Sequence, residues 1–440
     1  MDFIDFGTFG GRAVGWAPER RDPPVVRTRA AHGRQIREAF YVVPIVRWAF
    51  YLFIATIPFE TTNLGVPVEI TAISLGLLLL SLAFQIPVVF HKPPLAYGLF
   101  FLYLAIFAAP LILTESEYTT EAIWQLFVLT QLMVMSWVAY NLTLSDRVAR
   151  NAALSLGAAC TLLAVLQLSG ITTTASDEAA KIERVTALGF HPNNVARIFA
   201  LGILAFVGLA AGAKKGIIRP RWVVWIAFAL MGISLVQTGS RGGILALGAG
   251  LSAFILRAGS IAVKARNIML VLFALTFFVV AALQSDVMRE RLDNTLENGD
   301  LARRDQIYPV AWGMFLEKPL FGWGNQTGEY ELGARLAHVG EDSKNPHNLI
   351  LHLFLVTGIA GAVPMLVGLG LAVWAAWKSR LGPRGVLPLS LIVTVIVANM
   401  SGLWLHNKMH WLVVALALSS YTAVRRRARS IGTSDSISNI

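Results

Sequence analysis

Apolar runs separated by short polar intervals make up most of the chain beyond residue 38. Several of these runs reach the roughly 20 residues that a helix needs to cross the hydrocarbon core of a bilayer. The pattern predicts an all-α integral membrane protein with about twelve transmembrane helices. The predicted spans cover residues 40–58, 68–86, 94–113, 123–142, 147–169, 193–212, 220–237, 240–257, 266–284, 347–377, 385–404 and 409–424.

Basic residues collect in alternate intervals between the spans, among them 214–221, 257–266 and 378–384. Cytoplasmic loops carry the excess of Lys and Arg in membrane proteins, so both termini are predicted to be cytoplasmic. The chain then divides into five parts. They are a cytoplasmic basic tail over 1–38, transmembrane helices 1–9 over 39–284, an outer loop over 285–346, transmembrane helices 10–12 over 347–424, and a cytoplasmic tail over 425–440.

The outer loop over 285–346 has a helical pattern of its own. Its apolar side chains recur at steps of three and four residues until Pro319, and they are Ile307, Val310, Ala311, Met314 and Phe315. Proline stops such a pattern because it lacks an N–H donor and clashes with the preceding turn. We therefore expect a folded helical cap, and a structured loop over a membrane bundle is a place where functional residues concentrate.

Composition agrees with this picture, since 55% of the residues are hydrophobic, 14% are charged and the mean hydropathy is +0.61. A net charge of +11 could indicate nucleic-acid binding, but the loop positions of Lys and Arg favour membrane lipids as partners and no nucleic acid. The tail over 1–38 carries seven arginines and is expected either to contact anionic headgroups or to have no role. The single cysteine, Cys160, excludes an intrachain disulfide.

The start of the eighth predicted span has the pattern of an anion site. Residues 238–243 read Thr-Gly-Ser-Arg-Gly-Gly, in which Ser240 suits a helix N-cap and the glycines allow close approach to the backbone. A helix N-terminus presents N–H groups and a partial positive charge, and Arg241 adds a guanidinium that can bind two oxygens. The pattern predicts a phosphate or pyrophosphate site, with small-residue helix packing as the alternative.

Two other predicted spans begin with similar polar sequences, His-Pro-Asn-Asn over 191–194 and Asn-Pro-His over 345–347. All three starts lie on the predicted outer side, so their positive helix ends would form one anion site if the helices cluster. Arg47 and Arg197 lie within or near spans, where an ionisable side chain is costly and usually faces a polar cavity. Snorkelling of these arginines to the nearest interface is the alternative.

Histidine supplies the candidate base. His347 is predicted in the first turn of the tenth span, where the positive end of the helix dipole disfavours the imidazolium form. A neutral imidazole can accept a proton from a hydroxyl group, whereas the alternative is a histidine that only caps the helix. His406 and His410 have i,i+4 spacing, but Lys408 lies between them in place of a further ligand, so no metal is expected.

Several motifs follow one another in order between residues 185 and 365. They are Thr-Gly-Ser-Arg-Gly-Gly over 238–243, Arg304 followed by Tyr308, Pro-Leu-Phe-Gly-Trp-Gly over 319–324, Pro-His-Asn over 346–348 and Gly-Ile-Ala-Gly over 358–361. In this order and spacing they resemble the O-antigen ligase family. The superfamily also contains O-antigen polymerases and O-linked oligosaccharyltransferases, and its pattern commonly has Trp where this chain has Tyr308.

The resemblance implies a GT-C-like glycosyltransferase of the bacterial inner membrane. It would transfer O-polysaccharide from undecaprenyl pyrophosphate to lipid A-core at the periplasmic face, without a metal or another cofactor. Carried over by motif, Arg241 and Arg304 are expected to bind the pyrophosphate and His347 to activate the acceptor hydroxyl. Inversion at the anomeric carbon is expected because no carboxylate nucleophile is evident. Further candidates for lining the cavity are Arg47, Asn194, Arg197, Arg303, Tyr308 and Asn348, and the adjacent Arg303 could take the role of Arg304.

Other functions stay open at this point. An O-antigen polymerase would use the same donor, but it tends to carry a second large outer loop, and the interval over 170–192 is short. An O-linked oligosaccharyltransferase usually extends further past the last span. A transporter or flippase for an anionic lipid would also need intramembrane arginines, but it would not need a neutral histidine over the bundle. A membrane scaffold would need neither.

Overall fold

The computed structural model describes residues 41–60, 70–113, 117–177, 182–212, 222–256, 261–298, 303–337 and 345–436. The predicted basic tail over 1–38 lies outside the described residues. Within the described ranges the chain forms sixteen α-helices and one β-hairpin. The predicted all-α class is therefore confirmed apart from the hairpin.

The helices are numbered in chain order. The first ten are α1 (Pro44–Thr56), α2 (Ile70–Leu82), α3 (Ile86–Val89), α4 (Leu95–Leu113), α5 (Thr119–Leu142), α6 (Asp146–Leu168), α7 (Pro192–Gly212), α8 (Trp222–Gln237), α9 (Arg241–Ser252) and α10 (Ile261–Gln284). The others are α11 (Asp286–Asn298), α12 (Arg304–Glu317), α13 (Asn325–Leu336), α14 (Leu349–Ser379), α15 (Leu387–Asn399) and α16 (Lys408–Ser436).

Six helical segments of the described chain are long and apolar enough to cross a membrane, and five shorter apolar helices of 10–17 residues accompany them. The six are Ile70–Val89, Thr119–Leu142, Asp146–Leu168, Pro192–Ala211, Ile261–Gln284 and Leu349–Ser379. A helix overlaps each of the twelve positions at which a span was predicted. That all twelve of them cross the membrane stays a prediction.

The hairpin consists of strands β1 (Thr172–Asp177) and β2 (Ile182–Ala187), which pair antiparallel from Thr172 opposite Ala187 to Asp177 opposite Ile182. From the sequence, only a short outer loop is expected over this interval. Three consecutive threonines in β1 and the β-branched residues of β2 favour extended backbone. The prediction missed this local signal because each strand has only six residues.

Close helix packing in the bundle depends on glycine. A Cβ atom at Gly250 would lie 2.1 Å from Oγ1 of Thr394, and one at Gly368 would lie 2.4 Å from the ring of Phe100. Any side chain at these positions would push α9 away from α15 and α14 away from α4. Small residues therefore let the backbones of these apolar helices approach one another, as in other membrane helix pairs.

Helix α14 is interrupted at Gly358, whose φ of 57° and ψ of −161° lie outside the helical region. The segment 319–324, which connects α12 to α13, docks into this interruption. Four backbone hydrogen bonds join the two: Trp323 N–H to Leu355 O (2.9 Å), Gly324 N–H to Val356 O (3.0 Å), Ile359 N–H to Pro319 O (2.8 Å) and Ala360 N–H to Leu320 O (3.0 Å). The polar groups that the break exposes are thus paired, as an apolar environment requires.

Helices α12 and α13 form a small core of their own against α14. Its buried side chains are Ile307, Ala311, Met314, Leu332, Leu336 and Leu355. Helix α12 ends at Glu317, two residues before Pro319, where the sequence predicted its end. The described part of the interval 285–346 is therefore a folded helical cap, whereas its location on the periplasmic side stays a prediction.

Candidate anion site

The starts of α7 and α9 lie side by side. A Cβ atom at Gly243 would lie 2.5 Å from Cβ of Ala196, so α9 approaches α7 this closely only because Gly243 has no side chain. Ser240 is the N-cap of α9, and its Oγ accepts a hydrogen bond from the N–H of Gly243 at 3.2 Å. The structure thus brings together two of the three polar helix starts that the sequence indicates as an anion site.

Arg184 of β2 connects the two helix starts. Its side chain is 4% exposed. Its Nε–H donates to the carbonyl oxygen of Thr238 at 2.8 Å, and its Nη2–H donates to Oδ1 of Asn193 at the same distance. The hairpin therefore positions the turn before Arg241 and the first residues of α7. Sequence reasoning missed this residue because its role depends on the fold of the hairpin.

Arg241 is the first residue of α9 and is half-buried. Its Nη1–H donates to the carbonyl oxygen of Arg291 in α11 at 3.3 Å. Gly239, in the preceding turn, has a φ of +62°, and a Cβ atom there would lie 2.8 Å from Cγ1 of Val287. Helix α11 therefore packs directly on the turn that precedes Arg241.

Residues 400–407 connect α15 to α16 and are called the 400–407 loop. This loop contacts both the cap and the starts of α7 and α9. Arg304 of the cap donates from Nη2–H to the carbonyl oxygen of Ser401 at 2.9 Å. A Cβ atom at Gly242 would lie 2.3 Å from Oγ of the same serine. Ser401 thus contacts both Arg304 and the residue that follows Arg241, and the two predicted pyrophosphate-binding arginines border one loop.

Arg197 lies under this loop and is 3% exposed. Its Nη2 atom would be 2.2 Å from a Cβ atom at Gly402, and its guanidinium carbon is 5.5 Å from the centre of the Trp404 ring. Asn194 accepts hydrogen bonds at Oδ1 from Nη1–H of Arg197 at 3.5 Å and from the indole N–H of Trp404 at 3.2 Å. The sequence proposed Arg197 and Asn194 only as lining candidates, but both lie beside the loop that binds Arg304.

The guanidinium groups of Arg197 and Arg304 are close enough to repel each other. Among the described residues, no carboxylate lies within ion-pair distance of either group. Each has a buried Nε–H without a hydrogen-bond partner. Burying a charge costs several kcal/mol when no opposite charge compensates it. Arg197 is buried and Arg304 is half-buried, and an anion that accepted from their free donors would stabilise both.

His347 lies at the start of α14 but not within the helix. Asn348 is the N-cap, and its Oδ1 accepts from the N–H groups of Ile350 and Leu351 at 3.0 and 3.2 Å. The expected position of His347 in the first helical turn is therefore wrong by two residues, because Asn348 caps the helix and the helix begins at Leu349. His347 is exposed, with a φ of 51° that non-glycine residues rarely adopt.

The conformation of His347 is held from both sides. Its own N–H donates to Oδ1 of Asn345 at 2.8 Å, and Pro346 between them is buried. A left-handed residue costs about 1 kcal/mol or more and persists where the surrounding structure requires it. The turn therefore presents an exposed imidazole next to the positive end of α14.

Residues 226–366 match the family model described as O-antigen ligase. Over this segment the chain is similar to the O-antigen ligase family. The match covers about a third of the chain and includes α9, the cap, His347 and the interruption of α14. It confirms the predicted resemblance and supports an enzymatic role, and the long apolar helices agree with a multi-pass membrane protein. No curated protein matches the chain.

The remaining lining candidates divide between the two ends of the bundle. Tyr308 donates from its hydroxyl to the carbonyl oxygen of Met400 at 3.4 Å, so it borders the 400–407 loop. Arg303 is the N-cap of α12 with a φ of 57°, and it is Arg304 that reaches Ser401. Arg47 lies elsewhere, since it interacts with Tyr51 together with Arg150, at the opposite end of the bundle.

Three histidines in or near the 400–407 loop have no role predicted from the sequence. His352, His406 and His410 each have an Nε2 atom that is buried without a hydrogen-bond partner. Nδ1 of His352 lies 3.7 Å from a carboxylate oxygen of Glu329, and desolvation lowers the pKa of His406 to about 4. His406 precedes α16, so it does not share a helix face with His410 as its spacing suggested.

Proposed function

We propose that the protein is an O-antigen ligase, which transfers O-polysaccharide from undecaprenyl pyrophosphate to lipid A-core at the periplasmic face of the inner membrane. The observation that carries this proposal is the pair of adjacent guanidinium groups, Arg197 and Arg304, that are hydrogen-bonded only to neutral acceptors. Their free buried N–H donors suit a ligand with several negative oxygens. A pyrophosphate has this chemistry.

The proposed donor carries its sugar on an activated bond to pyrophosphate. No ATP is available outside the inner membrane, so the sugar must already carry a good leaving group. Undecaprenyl pyrophosphate gains negative charge as it leaves. The side chains of Arg241, Arg197 and Arg304 would stabilise this charge in the transition state. The partial positive charges at the starts of α7 and α9 act in the same direction.

His347 is proposed as the general base. A hydroxyl oxygen of the acceptor attacks the anomeric carbon of the donor while the bond from that carbon to the pyrophosphate oxygen breaks. The pyrophosphate keeps the electron pair of the broken bond, and the hydroxyl proton passes to the His347 imidazole. A single displacement of this kind inverts the anomeric configuration. No metal and no covalent glycosyl-enzyme takes part in this scheme.

The direct test is transfer in vitro. The purified full-length chain is mixed in detergent with an undecaprenyl-pyrophosphate-linked glycan and lipid A-core, with and without a chelator. We expect chelator-resistant glycosylation of lipid A-core that His347→Ala reduces by at least about 100-fold, the usual contribution of a positioned base. His91→Ala is a matched control, because His91 is exposed near the opposite end of the bundle.

Three results would redirect the proposal. Growth of the lipid-linked chain without transfer to lipid A-core would identify a polymerase that uses the same site. In proteoliposomes, translocation of the lipid-linked glycan that survives His347→Ala, with no transfer, would identify a transporter. Retained anomeric configuration or a trapped glycosyl-enzyme would exclude the single displacement, while leaving the transfer activity itself in place.

A further inference from the structure

A second cationic feature lies at the other end of the same helices. Gly208 and Leu209 of α7 line a cavity of about 230 Å³ together with residues of α6, α15 and α16. These α7 residues follow Arg197 by eleven or twelve positions, which is about 17 Å along a helix at 1.5 Å per residue. The cavity is thus separated from the candidate anion site by most of the length of α7.

The walls of this cavity are apolar and its rim is basic. Apolar lining comes from alanines of α6 and leucines of α7, α15 and α16, including Ala153, Leu391 and Leu416. The charged residues at the cavity are three arginines and one aspartate, namely Arg150, Arg384, Arg427 and Asp146. Their formal charges leave a net positive charge at one end of a hydrophobic space.

The four charged groups are not equivalent. The side chain of Arg384 is 10% exposed. It donates hydrogen bonds to the carboxylate of Asp146, to Oγ of Ser419 and to the carbonyl oxygen of Thr143. Arg427 is 57% exposed and pairs with the second carboxylate oxygen of Asp146. Arg150 is exposed on α6. The solvent-accessible charge at the rim is therefore positive, because the carboxylate of Asp146 forms ion pairs with Arg384 and Arg427.

We propose that this cavity binds an anionic phospholipid, with acyl chain in the apolar space and headgroup phosphate at Arg150 and Arg427. Basic pockets between membrane helices are recognised by anionic headgroups, and the sequence predicts this end to be cytoplasmic, where anionic lipids attract basic residues. The phosphodiester of such a lipid would pair with the arginines, and its acyl chain would contact the apolar walls. This inference does not depend on the proposed transfer reaction.

Lipid binding can be measured on the delipidated full-length chain in detergent. Phosphatidylglycerol, phosphatidylcholine with the same acyl chains, and free glycerol phosphate are added separately. Retained lipid is counted by native mass spectrometry. Thermal unfolding is followed by labelling of Cys160, which is the single cysteine and is buried in the folded chain. We expect phosphatidylglycerol alone to be retained and to raise the unfolding temperature.

Two variants separate the charge from the apolar space. Arg150→Gln should weaken phosphatidylglycerol binding about fivefold, the usual contribution of one basic residue near a membrane surface. Ala153→Leu should abolish binding with all charges intact, because it fills the cavity. Arg147→Gln is the matched control, since Arg147 is exposed one turn earlier on α6 and does not line the cavity.

Each opposite result overturns the proposal. Equal retention of phosphatidylcholine would mean that the cavity is filled without headgroup recognition. Equal stabilisation by glycerol phosphate would mean that the acyl chain is not bound. An equal loss in Arg147→Gln would mean that the charge of the whole surface attracts the lipid. If Ala153→Leu does not fold, Arg150→Gln and its control still decide between these outcomes.

Discussion

The arginines at the two ends of α7 differ in the groups that they contact. At the first end, Arg197 and Arg304 lie close together and hydrogen-bond only to amide and carbonyl oxygens. At the other end, Arg384 and Arg427 share the carboxylate of Asp146. The first arrangement has no opposite charge among the described residues, whereas in the second a carboxylate partly balances the arginines. The difference distinguishes the arginines proposed to bind the pyrophosphate from Arg384, which joins α6 to α16.

The largest effect on stability is expected at the second end. Arg384→Gln removes the group that joins Asp146 to Ser419 and Thr143, and breaking such a buried network costs about 3 kcal/mol. Thermal unfolding monitored through Cys160 should shift strongly downward, while the folded fraction still binds donor. An unchanged unfolding temperature would mean that Arg427 alone holds the aspartate, and the contrast between the two ends would fail.

Removing an arginine at the first end should leave stability unchanged or raise it, and should weaken donor binding. Arg304→Gln relieves the repulsion with Arg197, so unfolding without donor should occur at the same temperature or higher. Donor affinity should fall about 30- to 160-fold, because hydrogen bonds to charged groups contribute about 2–3 kcal/mol. The affinity is measured by titration of the undecaprenyl-pyrophosphate-linked glycan.

Arg303→Gln is the control for that measurement, because Arg303 is adjacent and carries the same charge. It should change donor affinity less than Arg304→Gln does. A larger loss in Arg303→Gln would assign the binding role to Arg303. A lower unfolding temperature in Arg304→Gln would show that Ser401 requires the arginine for stability, and the site would then resemble the second end.

Acid should destabilise the first end through His406. Desolvation lowers the pKa of His406 to about 4 from 6.5 in the unfolded chain, so the unfolded state binds more protons between these values. Stability is therefore fully present above pH 6.5 and is lost as the pH falls towards 4. From pH 6.5 to 5 we expect a loss of about 1 kcal/mol, because the side chain is partly exposed.

His406→Asn tests the source of that loss, since asparagine does not titrate. The variant should reduce the slope of unfolding temperature against pH in this range. A slope equal to that of the unsubstituted protein would place the titrating group elsewhere.

The smallest effect is expected at Tyr308. Its hydroxyl lies 3.4 Å from the carbonyl oxygen of Met400, which is too long for a strong hydrogen bond. Tyr308→Phe should therefore reduce transfer less than about threefold, since a weak bond contributes under about 0.7 kcal/mol. A loss of tenfold or more in the transfer assay would give the hydroxyl a direct role with the substrate.

Much of the fold follows from local sequence. Runs of apolar residues locate the helices because burial in lipid requires continuous hydrophobic segments. Pro319 marks the end of α12, and Ser240 caps α9, because these effects depend on a few neighbouring residues. The presence of Arg241, Arg304 and His347 in a recognisable order pointed to the family. Each of these features depends on short-range chemistry.

Only the tertiary structure decided how these parts meet. The docking of 319–324 into the break at Gly358 depends on hydrogen bonds between segments more than thirty residues apart, which no local pattern specifies. Arg197 joins Arg304 through the 400–407 loop for the same reason. The sequence by itself determined which residues form helices and which carry charge. Packing decided which charges lack a partner, because pairing depends on distances that arise when distant segments pack together.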